Sequence, residues 1–237
     1  MPGAPANPAA TWHASDAIAP PRGEHIHHGY WATEESKAHD SKEVAQVNLI
    51  KLLLGMSHVA GGSHVLDVGC GIGGTSRYLA SQLGCTVTGI TISGKQVEIA
   101  TRLTMAGAAQ DAPADADSPA DAQPDADGFL AIGKGRVKFL ELDAERMGEF
   151  FAQQQTEFDA VWISEALSHF PNKALFFHNA YKVLRPGGKL ALADWFKGED
   201  LGVNGFANDI KPIEGACGCS KGCHVPGFPS TCVPETG

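Results

Sequence analysis

Asp67 is followed by glycines at 69, 71, 73 and 74 in the stretch HVLDVGCGIGG (residues 64–74). Glycine lets the backbone approach a ligand closely, and a helix N-terminus offers unpaired N–H groups to negative charge. The corner therefore suits a carboxylate, a phosphate or a ribose. Two titratable groups, Glu165 and His169, follow Ser164 in FDAVWISEALSHF (residues 158–170). Either could take a proton from a phenol, an amine or a carbon acid. The plainer alternative is that Glu165 orders its loop and His169 caps the next helix. Asp143, in RVKFLELDAERM (residues 136–147), reads either as a ligand-binding acid or as a helix N-cap. In HIHHGYW (residues 25–31), His25, His27 and His28 have a metal-binding residue type. No carboxylate or cysteine stands nearby at ligand spacing, which favours a loop whose Tyr30–Trp31 pair covers a ligand.

These groups need strands and helices to bring them together. Val65, Leu66 and Val68 mark a first strand, and TSRYLASQLG behind the glycines reads as a helix that stops at Gly84. CTVTGITIS (residues 85–93) is a second strand, and Ser93-x-x-Gln96 opens a helix as a capping box. Residues 136–143 and 158–164 give a third and a fourth strand. Residues 172–184 form an amphipathic helix ended by Pro186-Gly187-Gly188, and KLALADWF (residues 189–196) is a fifth strand. Ahead of them, Asp40-x-x-Glu43 is a capping box for a helix to about His58. Strands alternating with helices predict an α/β fold, a doubly wound parallel sheet in the order 3-2-1-4-5 with ligands at the carboxyl ends.

The chain has 237 residues, 43% of them hydrophobic and 19% charged, enough for one domain with tails. Of the net charge of −9, six units come from aspartates between Arg102 and Lys134, without which the chain would stand at −3. There is no basic patch, which argues against nucleic acid as a partner. No apolar run approaches the ~20 residues of a membrane span. A signal-peptide core is missing from the N-terminus, so a cytoplasmic location is expected. Residues 1–24, rich in Pro and Ala, read as a disordered tail, and residues 106–134 as an acidic low-complexity loop. Cys70 and Cys85 belong to the fold, and four further cysteines crowd the last 21 residues. Cys217, Cys219, Cys223, His224 and Cys232 have the residue types for zinc, but the spacing matches no common pair, and no metal is expected.

The glycines alone also satisfy a dinucleotide fingerprint. A nicotinamide site would want an acid at the tip of the second strand, roughly 20 residues on. That strand ends GITIS, and the next acid is Glu98 inside a helix. LDVGCGIGG (residues 66–74) instead resembles the first motif of the class I S-adenosylmethionine-dependent methyltransferases. LRPGGKLAL (residues 184–192) is similar to that family's turn into its fifth strand. HHGYW and GITxSxxQ resemble the small-molecule branch that modifies tocopherols, sterols, quinols and lipids. The resemblance runs from His25 to Pro212 and implies a Rossmann-like methyltransferase domain over residues 25–212.

It also implies roles. S-adenosylmethionine would lie on Asp67, Gly69, Cys70, Gly71 and Gly73, with Ser164 beside it. Tyr30 would reach the methionine carboxylate, and Thr91 and Gln96 the ribose. Asp143 would accept from the adenine amino group while the Ala144 N–H meets the ring. Glu165 and His169 would act as proton acceptors on a small hydrophobic substrate. Residues 213–237 depart from the family, which carries a further helix and an antiparallel strand pair. Hence the fifth-strand edge is expected to be open to self-association. Two rivals remain: a cofactor-binding form without activity, and a dinucleotide oxidoreductase.

Overall fold

The computed structural model describes residues 25–111 and 123–195. The 1–24 tail, the middle of the acidic insert and the cysteine-rich end all lie outside the described residues, as does 196–212 of the expected domain. Thr33 and Ser36 cap one another at the start of α1 (Glu34–His39). Asp40 closes that helix by donating its N–H to the Ser36 carbonyl, so it cannot open the next. Ser41 does so instead, its hydroxyl accepting from Val44 N at 3.3 Å, and α2 (Lys42–Ser57) follows. The Asp40 capping box is therefore corrected by one residue.

Then come β1 (His64–Val68), α3 (Gly74–Leu83), β2 (Thr86–Thr91) and α4 (Gly94–Asp111). The chain continues with β3 (Leu130–Ile132), β4 (Gly135–Glu141), α5 (Met147–Gln153), β5 (Phe158–Ser164), α6 (Lys173–Val183) and β6 (Leu184–Ala193). The sheet order is β3-β4-β2-β1-β5-β6, and every pairing is parallel except β3 with β4. The expected five strands are β4-β2-β1-β5-β6, in the expected order. The added β3 comes from the last residues of the insert, where buried Leu130 and Ile132 alternate with exposed Ala131. Alanine-rich sequence also carries α4 through to Asp111. The acidic loop is thus shorter than expected at both ends.

Strands buried on both faces need cover on both. On one face Ile50, Leu53 and Leu54 of α2 join Leu79 of α3 and Ala100 of α4 over Val65, Val87, Val137 and Trp162. On the other, Phe151 of α5 and Phe176, Ala180 and Val183 of α6 cover Leu66, Val68, Ile90, Val161 and Ile163. β6 breaks its register around Asp159, so that the Pro186–Gly188 turn bulges out before Lys189 pairs with Ala160. The strand ends at Ala193, three residues short of expectation.

Candidate functional site

All the strand ends that carry candidate groups point the same way, because every long strand is parallel. β1 runs into the glycine turn, where Gly69 N and Cys70 N both donate to the Ile90 carbonyl of β2, at 2.9 and 3.0 Å. Gly71 and Gly73 both have positive φ, 56° and 78°. A Cβ on Gly71 would strike the Ile26 side chain, and one on Gly73 would lie 2.5 Å from the Phe139 ring. Asp67, at 3% exposure, is held in this corner by the Ser76 hydroxyl, which donates to Oδ2 at 2.6 Å. Burial raises its carboxyl to about 6, and the single hydroxyl bond only partly offsets that. Burial also pushes the Cys70 thiol well above its ordinary range, and the charge of Asp67 pushes the same way.

At the tip of β2, Thr91 Oγ1 donates to Gln96 Oε1 at 2.6 Å. Ser93 Oγ accepts from Gln96 N at 3.3 Å, but the Gln96 side chain does not return the bond, so the expected capping box is one-sided. No acid from β2 stands here. Glu141, at the end of β4, instead brings its carboxylate against Gly94, which spacing along the chain does not reveal. Leu142 N donates to the Thr91 carbonyl at 2.9 Å and ties the two strand tips together. Asp143 is exposed and turns back to accept from Glu145 N at 2.9 Å. Ala144 is buried, and Asn179 of α6 holds its loop by donating to the carbonyls of Ala144 and Glu145, at 3.3 and 2.8 Å.

Across from the glycines, β5 delivers Ser164, Glu165 and, after a 3₁₀ turn (Leu167–His169), His169. Glu165 has a left-handed backbone (φ 53°), a conformation costly for a non-glycine residue and held here by Glu165 N donating to the Ala193 carbonyl at 2.7 Å. Both its carboxylate oxygens accept from His28 N at 3.1 Å, and one lies 2.7 Å from His28 Nδ1. The His28 ring meets Trp195 edge-on at 5.0 Å. The side chain of Glu165 thus fastens the N-terminal segment through His28, a contact other than the ordering of its own loop. His169 is exposed and does not cap α6; Asn172 does, accepting from Leu175 N at 2.9 Å.

The segment at residues 25–30 is the part of the site that sequence reading placed least well. Buried Gln46 of α2 donates to the carbonyls of His25 and His27, at 3.1 and 2.5 Å, and Tyr30 N donates to the Ala45 carbonyl at 2.8 Å. So fastened, the segment closes one side of a cleft of about 270 Å³. Six of the expected residues line that cleft: Asp67, Gly69, Cys70, Ser164, Glu165 and His169. His25, Ile26 and His27 line it too, with Thr75. Tyr30, Thr91, Gln96, Asp143 and Ala144 do not; the last four follow the neighbouring strand ends, and Gly71 and Gly73 shape the turn behind. The histidines of 25–31 do not gather a metal set: among the described residues no three His, Cys, Asp or Glu side chains converge on one point. No helix among the described residues is long and apolar enough to cross a membrane.

Known proteins are similar to this chain over the same region. The family described as Methyltransferase domain matches residues 66–192. A 2-methyl-6-phytyl-1,4-hydroquinone methyltransferase from Synechocystis is 35% identical over 76% of this chain and 48% of its own. A 27-O-demethylrifamycin SV methyltransferase from Amycolatopsis mediterranei is 35% identical over 73% of this chain and 52% of its own. The chain spans about half the length of these curated relatives. Among solved structures, that of the 4+2 cyclase SpnF superposes with a TM-score of 0.52 at 27% identity, covering 70% of this chain and 50% of that one. The motif-bearing strand ends lie where the family match falls, and the chain belongs to the class I S-adenosylmethionine-dependent methyltransferases.

Proposed function

We propose that the protein transfers a methyl group from S-adenosylmethionine to a small hydrophobic metabolite. One observation carries this reading: the glycine turn with buried Asp67 faces Ser164, Glu165 and His169 across one cleft. The fit to the donor is supported by the Ser164 hydroxyl, buried and without a partner among the described residues. When bound, S-adenosylmethionine supplies a methyl already made electrophilic by its sulfonium. The protein's task is then to align an acceptor at roughly 3–3.5 Å in a water-poor cleft. Asp143 and Ala144 are the proposed adenine contacts, Thr91 and Gln96 the ribose contacts, and Tyr30 the methionine carboxylate contact. The curated relatives named for hydroquinone and demethylrifamycin methylation favour a metabolite acceptor over nucleic acid, and a cytoplasmic setting goes with this reading.

Calorimetry with S-adenosylhomocysteine should show binding while NAD and NADP give no heat, and turnover should follow with a panel of phenols, hydroquinones and amines. Preference for a dinucleotide would sink the reading. The likeness to a cyclase favours one rival, a cofactor-binding form that does not methylate; binding without turnover across the panel would select it. Asp143→Ala should weaken S-adenosylhomocysteine binding by about 1–3 kcal/mol, the usual loss for a charged hydrogen bond. Unchanged affinity would reduce Asp143 to the turn it makes with Glu145. β6 is an outer strand of the described sheet, with Leu190 37% exposed, and we propose self-association along it. Light scattering should show concentration-dependent dimers that Leu190→Lys removes; a monomer at all concentrations would refute it.

A further inference from the structure

Nδ1 of His27 lies 2.8 Å from the carbonyl oxygen of His28. A carbonyl only accepts, so Nδ1 carries the ring hydrogen and Nε2 holds a lone pair. That Nε2 is buried and meets no hydrogen-bond partner among the described residues, although the side chain is only 7% exposed and lines the cleft. An orphaned buried acceptor of this kind calls for a ligand donor. The ring is also held in place. Its own carbonyl accepts from Gln46 Nε2, and the His25 ring lies 5.1 Å away at a tilt of 59°.

Resting on the methyltransferase reading, we infer that Nε2 of His27 accepts the proton of a phenol-type hydroxyl during methylation. The O–H bond breaks and its electron pair stays on the oxygen, which bonds the methyl carbon. The carbon–sulfur pair returns to sulfur, and the proton goes to Nε2. The base is oriented by a third group, the His28 carbonyl, as general bases commonly are. The titratable groups around it come from three parts of the chain. His25 and His28 stand on its own segment, Glu165 and His169 after β5, and Asp67 on β1. Burial keeps the ring neutral at rest, while the Glu165 charge pulls the other way and would steady the imidazolium once formed. Glu165 is then a positioning residue, fixed through His28, rather than the base.

Long-range ¹⁵N–¹H spectra of the full chain with S-adenosylhomocysteine bound test this first. The expected His27 pattern at pH 7 is a neutral ring with hydrogen on Nδ1. Hydrogen on Nε2, or a doubly protonated ring, overturns the proposal. The second measurement uses hydroquinone and a series of para-substituted phenols as probes. His27→Gln should leave S-adenosylhomocysteine affinity unchanged and lower kcat at least about 100-fold. The loss should shrink as the phenol becomes more acidic, and the acid limb of the kcat–pH profile should vanish. A loss under about threefold, or one equal for all phenols, overturns the assignment. Failure to bind S-adenosylhomocysteine at all would instead sink the methyltransferase reading, and the tautomer spectrum of the unliganded chain would still decide His27.

Discussion

Gly73→Val is expected to abolish S-adenosylhomocysteine binding and to lower the melting temperature by roughly 10 °C. Gly73 is the N-cap of α3 and has φ 78°. A β-branched residue held there costs about 1–3 kcal/mol in backbone strain. The same Cβ would lie 2.5 Å from Cζ and 2.6 Å from Cε1 of Phe139, and 3.1 Å from Ala100 Cβ. Phe139 is wedged in the core, so relief means moving β4 or α4, a further ~1–3 kcal/mol. Because the turn presents the N-terminus of α3 to the cleft, distortion and loss of ligand should come together. A variant that melts within about 2 °C of the parent and still binds would show that the turn is not built around this glycine.

Mild acid should release the 25–30 segment before the domain unfolds. Burial holds His25 at about 3, with the charges of His27 and Arg77 pushing the same way, and lowers His27 as well. The released or unfolded chain takes up these protons near pH 6.5; the docked form takes up that of His25 only near pH 3, and that of His27 below its ordinary value. Stability of the docked form therefore falls as pH drops from 6.5 towards 3, by about 2 kcal/mol at pH 5 from His25 alone. Asp67 works in the opposite sense. With its carboxyl raised to about 6, it opposes folding while ionised, and protonation as pH falls from 6.5 to 5 relieves about 1 kcal/mol. The global melt should thus change little over this range, while protection of amide hydrogens at residues 25–30 falls. His25→Phe should remove most of that dependence. Protection that does not vary between pH 7 and 5 would refute the account.

The sheet was legible because β1, β2, β4, β5 and β6 each carry an apolar run with a helix between them, and a parallel sheet admits few orders for such a pattern. The glycine corner was legible for a related reason: closely spaced glycines have few structural uses. β3 was not, because three residues behind an Asp- and Ala-rich stretch make no periodic signal. The cap at Ser41 escaped because Asp40 also satisfies the capping pattern, and only the presence of α1 takes it away. The largest gap lies at residues 25–31. That the His27 carbonyl meets Gln46 and that His28 meets Glu165 are contacts across 19 and 137 residues, which no local pattern encodes. The adenine and ribose candidates were chosen by likeness. The described contacts of Asp143 and Gln96 are with their own turns, so ligand binding must decide them.

β3 and the end of α4 have a use in the laboratory. α4 ends at Asp111, and β3, which follows the acidic stretch, pairs with residues 135–137 beside the amino-terminal half of β4. The cleft opens at the carboxyl ends of the strands, on the opposite rim. Doubling the length of a closed loop adds only about 0.6 kcal/mol of closure entropy. The exposed turn at Asp125–Gly128, just ahead of β3, is therefore a graft position: a fluorophore-bearing peptide or an affinity handle spliced there would report on the protein, or immobilise it, away from the path of donor and acceptor.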